Sequence, residues 1–473
     1  LPAGRFNVSA SKGSYVSLQY GQTRPMQGGT PLNVLDGQII EKVDFALPRG
    51  SVITGRVVDE FGEPVADVQV LPMQSRFMQG SRRLMPVGRN GQTNDIGEYR
   101  IFGLSPGQYY VSATMRNFNG ADSDDHNGYA PTYYPGTANG SEAQRVSVDV
   151  GQTVSEINIT LVATRTAKIT GTVIDSQGRP VAQGFVSAMP RNSGGMFYGP
   201  AGGGQIRDGT FTVAGVAPGD YTLRANIGNG FGSDGRPEFA TAVVSVSGED
   251  ISGVRLVAMS LVTVTGRLVV QDAAAAASLK PPIRINFSPV NIDDQMFMPG
   301  GGGTSAKEDF TFEAKVAPGK FRVFIGGPMP GWAVRAVLQN GVDVTDTGIE
   351  IAPGGETGGI EIEFTNHLSE LSGVVTNARG EVARDYTVIV FSQDREQWTG
   401  NTRYRNQGRP DQEGRFKIRG LPAGRYYAVA LENIDPGDAG DPDFLDRVRT
   451  KGTMFSMNDG ETKALDLKLQ SGT

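Results

Sequence analysis

The chain has no cysteine and only two histidines among its 473 residues. Without thiols there is no disulfide framework, no thiolate metal site and no Cys-His nucleophile. The missing cysteine does not fix a compartment, because many secreted bacterial proteins also do without it. The two histidines, His126 and His367, are 241 positions apart. A zinc carboxypeptidase set and a serine triad are both read as unfilled, and so few acid-base groups point away from catalysis. No catalytic and no cofactor-binding residue is assigned. No apolar run approaches the roughly 18 residues of a membrane-spanning helix. Basic runs are also missing and the net charge is -6, which argues against a nucleic-acid partner. Nothing resembles a secretion signal, but the chain opens inside a repeat: either residues upstream of Leu1 were removed or left out, or another molecule completes the fold.

Glycine and proline, in contrast, are plentiful: 65 and 27 residues, about a fifth of the chain. Much of that content lies in a segment that recurs. Val216-Ala217-Pro218-Gly219-Asp220-Tyr221 returns as Leu1-Pro2-Ala3-Gly4-Arg5-Phe6, Leu104-Ser105-Pro106-Gly107-Gln108-Tyr109, Val316-Ala317-Pro318-Gly319-Lys320-Phe321 and Leu421-Pro422-Ala423-Gly424-Arg425-Tyr426. The intervals between its prolines are 104, 112, 100 and 104 residues. A fixed period makes each repeat one structural unit. Pro presets φ at the first turn position and Gly accepts positive φ after it, so the segment is a tight turn. An alternating run such as Tyr221, Leu223, Ala225 follows, so the turn joins two strands.

The period divides the chain into 1–50, 51–165, 166–260, 261–367 and 368–473. Residues 1–50 read as the C-terminal half of a β-sandwich, with a strand at Val43, Phe45 and Leu47. Each full repeat opens on a strand (Val52–Asp59, Ile169–Asp175, Val264–Leu268, Leu371–Val375) and closes on an alternating one (Ile157, Ile159, Leu161; Val254, Leu256; Ile360, Ile362, Phe364; Leu465, Leu467, Leu469). Alternation of this kind buries one face and wets the other, as in a two-sheet sandwich. Ala273–Ala277 reads as one helical turn, too short to be stable alone. Links between repeats are short, which predicts a semi-rigid rod of tandem sandwiches. The fold class is all-β.

The pattern I-T-G-x-V-x-D-x-x-G-x-P-V, then D-x-x-G-x-[FY], then G-L-x-P-G-x-Y, resembles the carboxypeptidase regulatory-like domain. Its best match is Ile53-Thr54-Gly55-Arg56-Val57-Val58-Asp59 through Glu63-Pro64-Val65, with Asp95–Tyr99 and Gly103–Tyr109; the third repeat lacks the opening turn. The resemblance implies seven-stranded, prealbumin-like Greek-key sandwiches. It also implies accessory modules of secreted peptidases, outer-membrane receptors or long bacterial surface proteins. An isopeptide bond like that of related pilin domains is not expected, since Lys168 is the one lysine near an opening strand.

Four features are candidates for function. Asp122, Asp124 and Asp125 beside His126, and Asp435, Asp438, Asp441 and Asp443, are dense carboxylate loops, read either as weak calcium sites or as solvated acidic loops. An apolar cluster sits at one place in every repeat: Phe77, Met78 and Met85; Met196, Phe197 and Tyr198; Met296, Phe297 and Met298; Trp398 and Tyr404. Exposed methionine and aromatics suit adaptable partner contacts, the alternative being tips that fold back on their own or another repeat. Tyr129, Tyr133 and Tyr134 form either a platform for glycans or a packed loop covering a sheet edge. The half repeat at 1–50 offers open edges, so copies of the chain are the expected partner through strand complementation. The role expected is an extracellular or cell-surface structural protein, a stalk or filament subunit. The alternatives are a carbohydrate- or ligand-binding module, or accessory domains of a larger secreted enzyme or outer-membrane receptor.

Overall fold

The computed structural model describes residues 3–22, 28–78, 81–115, 126–191, 201–227, 238–270, 279, 282–290, 303–327, 329, 331–400, 402–435 and 437–470. The run Ala273–Ala277 lies outside them. The protein is almost all β, as its alternation predicts, and its sandwiches have separate cores. One core draws its buried side chains from Ile53 to Leu161, a second from Ala167 to Leu256, a third from Val262 to Phe364 and a fourth from Leu371 to Leu467.

Every repeat is laid out around its opening strand. Ser51–Val58 pairs antiparallel with Glu98–Leu104 and parallel with the closing strands Thr153–Val154 and Ile159–Thr160. Ala167–Ile174, Val262–Val270 and Glu370–Thr376 have the same two kinds of neighbour. The facing sheet of the first repeat is built on Gly107–Thr114, which pairs with Gln69–Met78; that strand pairs in turn with Ser81–Pro86.

The opening-strand glycine, which follows Thr or Ser in every full repeat (Thr54-Gly55, Thr170-Gly171, Thr265-Gly266, Ser372-Gly373), is required by this crossing. A Cβ on Gly171 would lie 1.9 Å from the carbonyl oxygen of Val254, and one on Gly55 2.0 Å from that of Ile157. Gly373 meets Leu465 O at 2.1 Å and Gly266 meets Ile360 O at 2.5 Å. The closing strand carries its carbonyl into the space a side chain would fill, and the register shifts there in the second and third repeats.

The repeated Pro-Gly segment is the corner where the chain leaves one sheet for the other. Gly107 and Gly219 sit at φ 154° and Gly319 at 136°, values that disfavour a Cβ. The aromatic two residues later locks the corner. Tyr109 Oη donates to Ser105 O at 2.6 Å, Tyr221 Oη to Ala217 O at 2.8 Å and Tyr426 Oη to Pro422 O at 2.6 Å. In the third repeat Phe321 fills the place by packing alone.

The other recurrent turns are closed by an Asp or Asn carboxamide or carboxylate. Asp59 Oδ1 accepts from Phe61 N and Glu63 N, and Asp175, Asn377 and Asp411 do the same two and four residues on. In Asn94-Asp95-Ile96-Gly97 it is Asn94 that caps, accepting from Ile96 N and Glu98 N.

Two expectations are corrected. First, the strand expected at Val43, Phe45 and Leu47 is not formed: residues 43–47 lie in no ladder. The N-terminal segment pairs within itself instead, Gly4–Phe6 with Leu32–Val34 and Ser9–Ala10 with Leu18–Gln19. Phe45 meets Tyr20 edge to face at 6.2 Å.

Second, the chain does not run as an end-to-end rod. Arg403 Nη2 is 2.6 Å from Asp343 Oδ2, tying the third repeat to the fourth, as a rod would require. Arg82 of the first repeat, however, also reaches Asp438 and Asp441 of the fourth. The Asn33 amide nitrogen lies 3.3 Å from Gln412 Oε1, again on the fourth. The fourth repeat thus touches the N-terminal segment and the first and third repeats.

Candidate functional site: a seat on the fourth repeat

The seat is built on a short helix that sequence periodicity did not reveal. Asp441-Pro442 starts it: the Asp441 carboxylate accepts from Asp443 N at 3.0 Å and Pro442 takes the first turn, where no N–H is needed. The helix Pro442–Val448 buries Phe444, Leu445 and Val448 against Ile389, Phe391, Val429 and Leu431. Trp398 belongs to this second core of the fourth repeat; its Nε1 donates to Ser392 O at 2.7 Å and its ring meets Phe391 edge to face.

The first repeat reaches the helix start with the hairpin Gln69–Met78 and Ser81–Pro86. Arg82 Nη2 lies 3.1 Å from Asp438 Oδ1 and 2.6 Å from Asp441 Oδ2. The backbone of Phe77 runs against Gly437, where a Cβ would stand 3.1 Å from Phe77 N; the Phe77 ring reaches toward Gly440. The two glycines of Pro-Gly-Asp-Ala-Gly therefore make room for the hairpin tip. Burial pushes the Asp438 carboxyl above its ordinary range, against the pull of Arg82. Arg82 is 47% exposed while Asp441 is 5% exposed, so water still screens the cation. Such a pair is worth about 1 kcal/mol, and half-burying Phe77 adds on the order of 1 kcal/mol. The contact holds but is weak enough to exchange.

A second patch of the same repeat receives the N-terminal segment. Asn33 Nδ2 donates to Asp411 Oδ2 at 3.4 Å, and Gly28 lies where a Cβ would be 3.2 Å from Arg409 Cγ. Arg5 is held below its ordinary pKa by burial, with Asp411 opposing the shift and Arg419 adding to it.

The residues singled out from sequence are dispersed. Met85 is buried in the first repeat and Trp398 in the fourth, so neither is an exposed contact residue. Tyr404 packs on the fourth core, with the Arg403 guanidinium 5.3 Å from its ring. Phe77 meets another repeat of its own chain, and Met78 ends the strand beside it. Met196, Phe197, Tyr198, Met296, Phe297 and Met298 lie outside the described residues, as do Asp122, Asp124 and Asp125.

The tyrosines do not form one platform. Tyr129 and Tyr134 pack on the first core, while Tyr133 joins Leu71, Met73, Leu84 and Tyr110 in a separate cluster. Tyr129 Oη also donates to Glu60 at 3.1 Å.

The acidic loop at 435–443 is corrected as well. Asp438 and Asp441 hold Arg82, Asp435 accepts from Asn433 and Asp443 lies in the first helical turn. Among the described residues no group of three His, Asp or Glu side chains converges for a metal. His367 and Glu370 do have the H-x-x-E spacing, contrary to the reading of an unfilled set. Glu370, however, is engaged by Lys417 at 2.8 Å and Arg419 at 2.7 Å. Burial alone would raise its pKa; those two cations outweigh it and hold the carboxyl below the ordinary range. His126 Nδ1 is bonded to Thr166 O at the junction of the first two repeats. Among the described residues no helix is long and apolar enough to cross a membrane.

No curated protein matches the chain. Among solved structures it is similar to the Bacillus anthracis TIE protein at 10% identity, covering 99% of this chain and 74% of that one, with a TM-score of 0.16. The Streptococcal ancillary pilin aligns at 17% identity over 55% of this chain and 76% of its own, with a TM-score of 0.22. Two B repeat units of the collagen binding protein of Staphylococcus aureus align at 11% identity over 82% and 94%, with a TM-score of 0.17. Scores this low leave the fold to rest on the chain's own strands and cores. The family comparison is specific to one stretch: residues 52–162 match the carboxypeptidase regulatory-like domain, from the opening strand to the closing strand of the first repeat, and those residues are a domain of that family.

Proposed function

We propose that this is a non-catalytic structural protein of the cell surface or extracellular space, a stalk or filament subunit whose partner is a second copy of itself. The observation that carries the reading is the seat on the fourth repeat, which takes residues from the N-terminal segment and first repeat of its own chain. A surface that accepts these residues in cis accepts the same residues from a neighbouring copy, because the contacting atoms are the same. The trans contact joins the N-terminal part of one copy to the C-terminal part of the next. It is heterologous, so it propagates unless the ring closes. Residues 43–47, which enter no ladder, offer strand addition at a neighbour's sheet edge as a second element of the same assembly.

Light scattering over a concentration series tests this. The weight-average mass is expected to rise with concentration for the natural chain and to stay at that of one chain for Arg82→Glu. Mixing Arg82→Glu with Asp438→Arg is expected to restore growth in part, because the swapped charges pair between copies. A natural chain that keeps the mass of one copy at every concentration overturns the proposal.

A further inference from the structure

The outer face of the second repeat holds an arginine that no other described residue neutralises. Arg224 lies on Gly219–Ile227, where Tyr221, Leu223 and Ala225 face the core. Alternation turns Thr222, Arg224 and Asn226 to the opposite face. Arg224 is nonetheless only 7% exposed. Its Nε and Nη2 are both buried and neither has a hydrogen-bond partner among the described residues.

Those two atoms are a matched pair. The Nε–H and the Nη2 hydrogens form the side-on fork of the guanidinium, with two parallel donors spaced for the two oxygens of a carboxylate. The whole fork is therefore unfilled, rather than one stray donor. Burial pushes the Arg224 pKa down to about 10, and among the described residues no carboxylate opposes the shift. An uncompensated buried cation is costly, and a chain that keeps one has a use for it.

The surroundings define the rest of the site. Ser187 and Thr241 are the cross-strand neighbours of Arg224, and Met189 and Val243 those of Thr222. The next strand presents Gly203 opposite Ser187, and the Phe185 ring rests there: a Cβ on Gly203 would be 2.4 Å from it. Phe185 is 41% exposed and Val243 60% exposed. Hydroxyls thus border the cation, while an aromatic edge and an aliphatic edge lie beyond them.

We propose that Arg224 anchors a carboxylate-binding site on the outer face of the second repeat, for a ligand with an apolar or aromatic body beside its carboxylate. The guanidinium fork takes both carboxylate oxygens, the hydroxyls of Ser187, Thr222 and Thr241 lie around them, and the body of the ligand lies against Phe185. This site is independent of the seat on the fourth repeat.

Sodium benzoate is the probe, titrated into the full chain by calorimetry at ionic strength held constant with sodium chloride. Saturable binding is expected. Arg224→Lys keeps the charge but lacks the fork, so its Kd is expected to rise at least about tenfold. Arg224→Met is expected to lose binding while unfolding at a temperature no lower than the natural chain, since an uncompensated charge has gone. The Lys variant carries the test if the Met variant fails to fold. Unchanged benzoate affinity in Arg224→Lys, or no saturable heat with the natural chain, overturns the site. Inorganic phosphate binding more tightly than benzoate overturns the carboxylate assignment.

Discussion

At the residue scale, two positions in each repeat decide whether the sandwich closes. The opening-strand glycine has no side chain because a carbonyl of the closing strand occupies that space, 1.9 Å from the Cβ position at Gly171. The obstacle is backbone, which cannot swing aside as a side chain can. Gly171→Ala is expected to destabilise the second repeat by about 3 kcal/mol, the upper end for overpacking. Amide exchange across 167–174 in the full chain is then expected to speed up roughly hundredfold. Unchanged exchange would mean the crossing strand moves away at little cost.

The second position is the corner aromatic, a tyrosine in the first, second and fourth repeats and Phe321 in the third. Burial pushes the Tyr221 hydroxyl up to about 12, and burial also takes Tyr109 to about 12 against the opposing pull of Arg76. An unfolded tyrosine titrates near 10. The folded protein therefore keeps protons that the unfolded chain releases, so stability is lost as pH rises from about 10 through 12. The thermal midpoint is expected to fall steeply across that window. Tyr221→Phe, losing one buried hydrogen bond, is expected to cost about 1 kcal/mol at neutral pH and to soften the alkaline fall.

Among the described elements, strands were legible in sequence and the helix Pro442–Val448 was not. The alternation at Ile157, Ile159 and Leu161, and at Ile360, Ile362 and Phe364, marks one buried face, and those residues are core. The Pro-Gly corner was readable because its backbone demands fix its residue types. Helix Pro442–Val448 is only seven residues long, less than the two turns over which a 3.6-residue period shows. Its signal was the cap, Asp441 before Pro442, which an acidic-loop reading hid. The same shortness misplaced Trp398: an apolar residue in a Gly- and Asn-rich loop reads as exposed until a distant helix is known to cover it. For Val43–Leu47 the error was of the opposite kind. Alternation there suggested a strand, but ladder formation needs a partner strand, which local pattern does not supply. Asp441→Ala removes the helix cap and one ligand of Arg82 together. It is expected to cost the fourth repeat about 1 kcal/mol through the cap and to loosen the first repeat's hairpin. Faster amide exchange at both Phe444–Val448 and Ser81–Pro86 would report the two effects; a change at the helix alone would separate the cap from the seat.

For the whole molecule, tandem sandwiches joined by short links would make a rod if only neighbours touched. Side chains far apart in sequence decide otherwise: Arg82 with Asp438 and Asp441, Asn33 with Asp411, Phe77 beside Gly437 and Gly440. No local pattern predicts such contacts, since each is one charge or one ring meeting another several hundred residues away. The fourth repeat is consequently the hub, and the proposed assembly requires that its modest contact energies let an equivalent copy compete for it.

The chain's lack of cysteine makes the decisive measurement simple, because introduced thiols are the only ones. Arg82→Cys and Asp438→Cys in one chain, treated with a short thiol-specific cross-linker, should give an intrachain product at low concentration. A ladder of joined copies should replace it as concentration rises. Cross-linking no greater than in the single-cysteine chains, at both extremes of concentration, would contradict the seat and the assembly built on it.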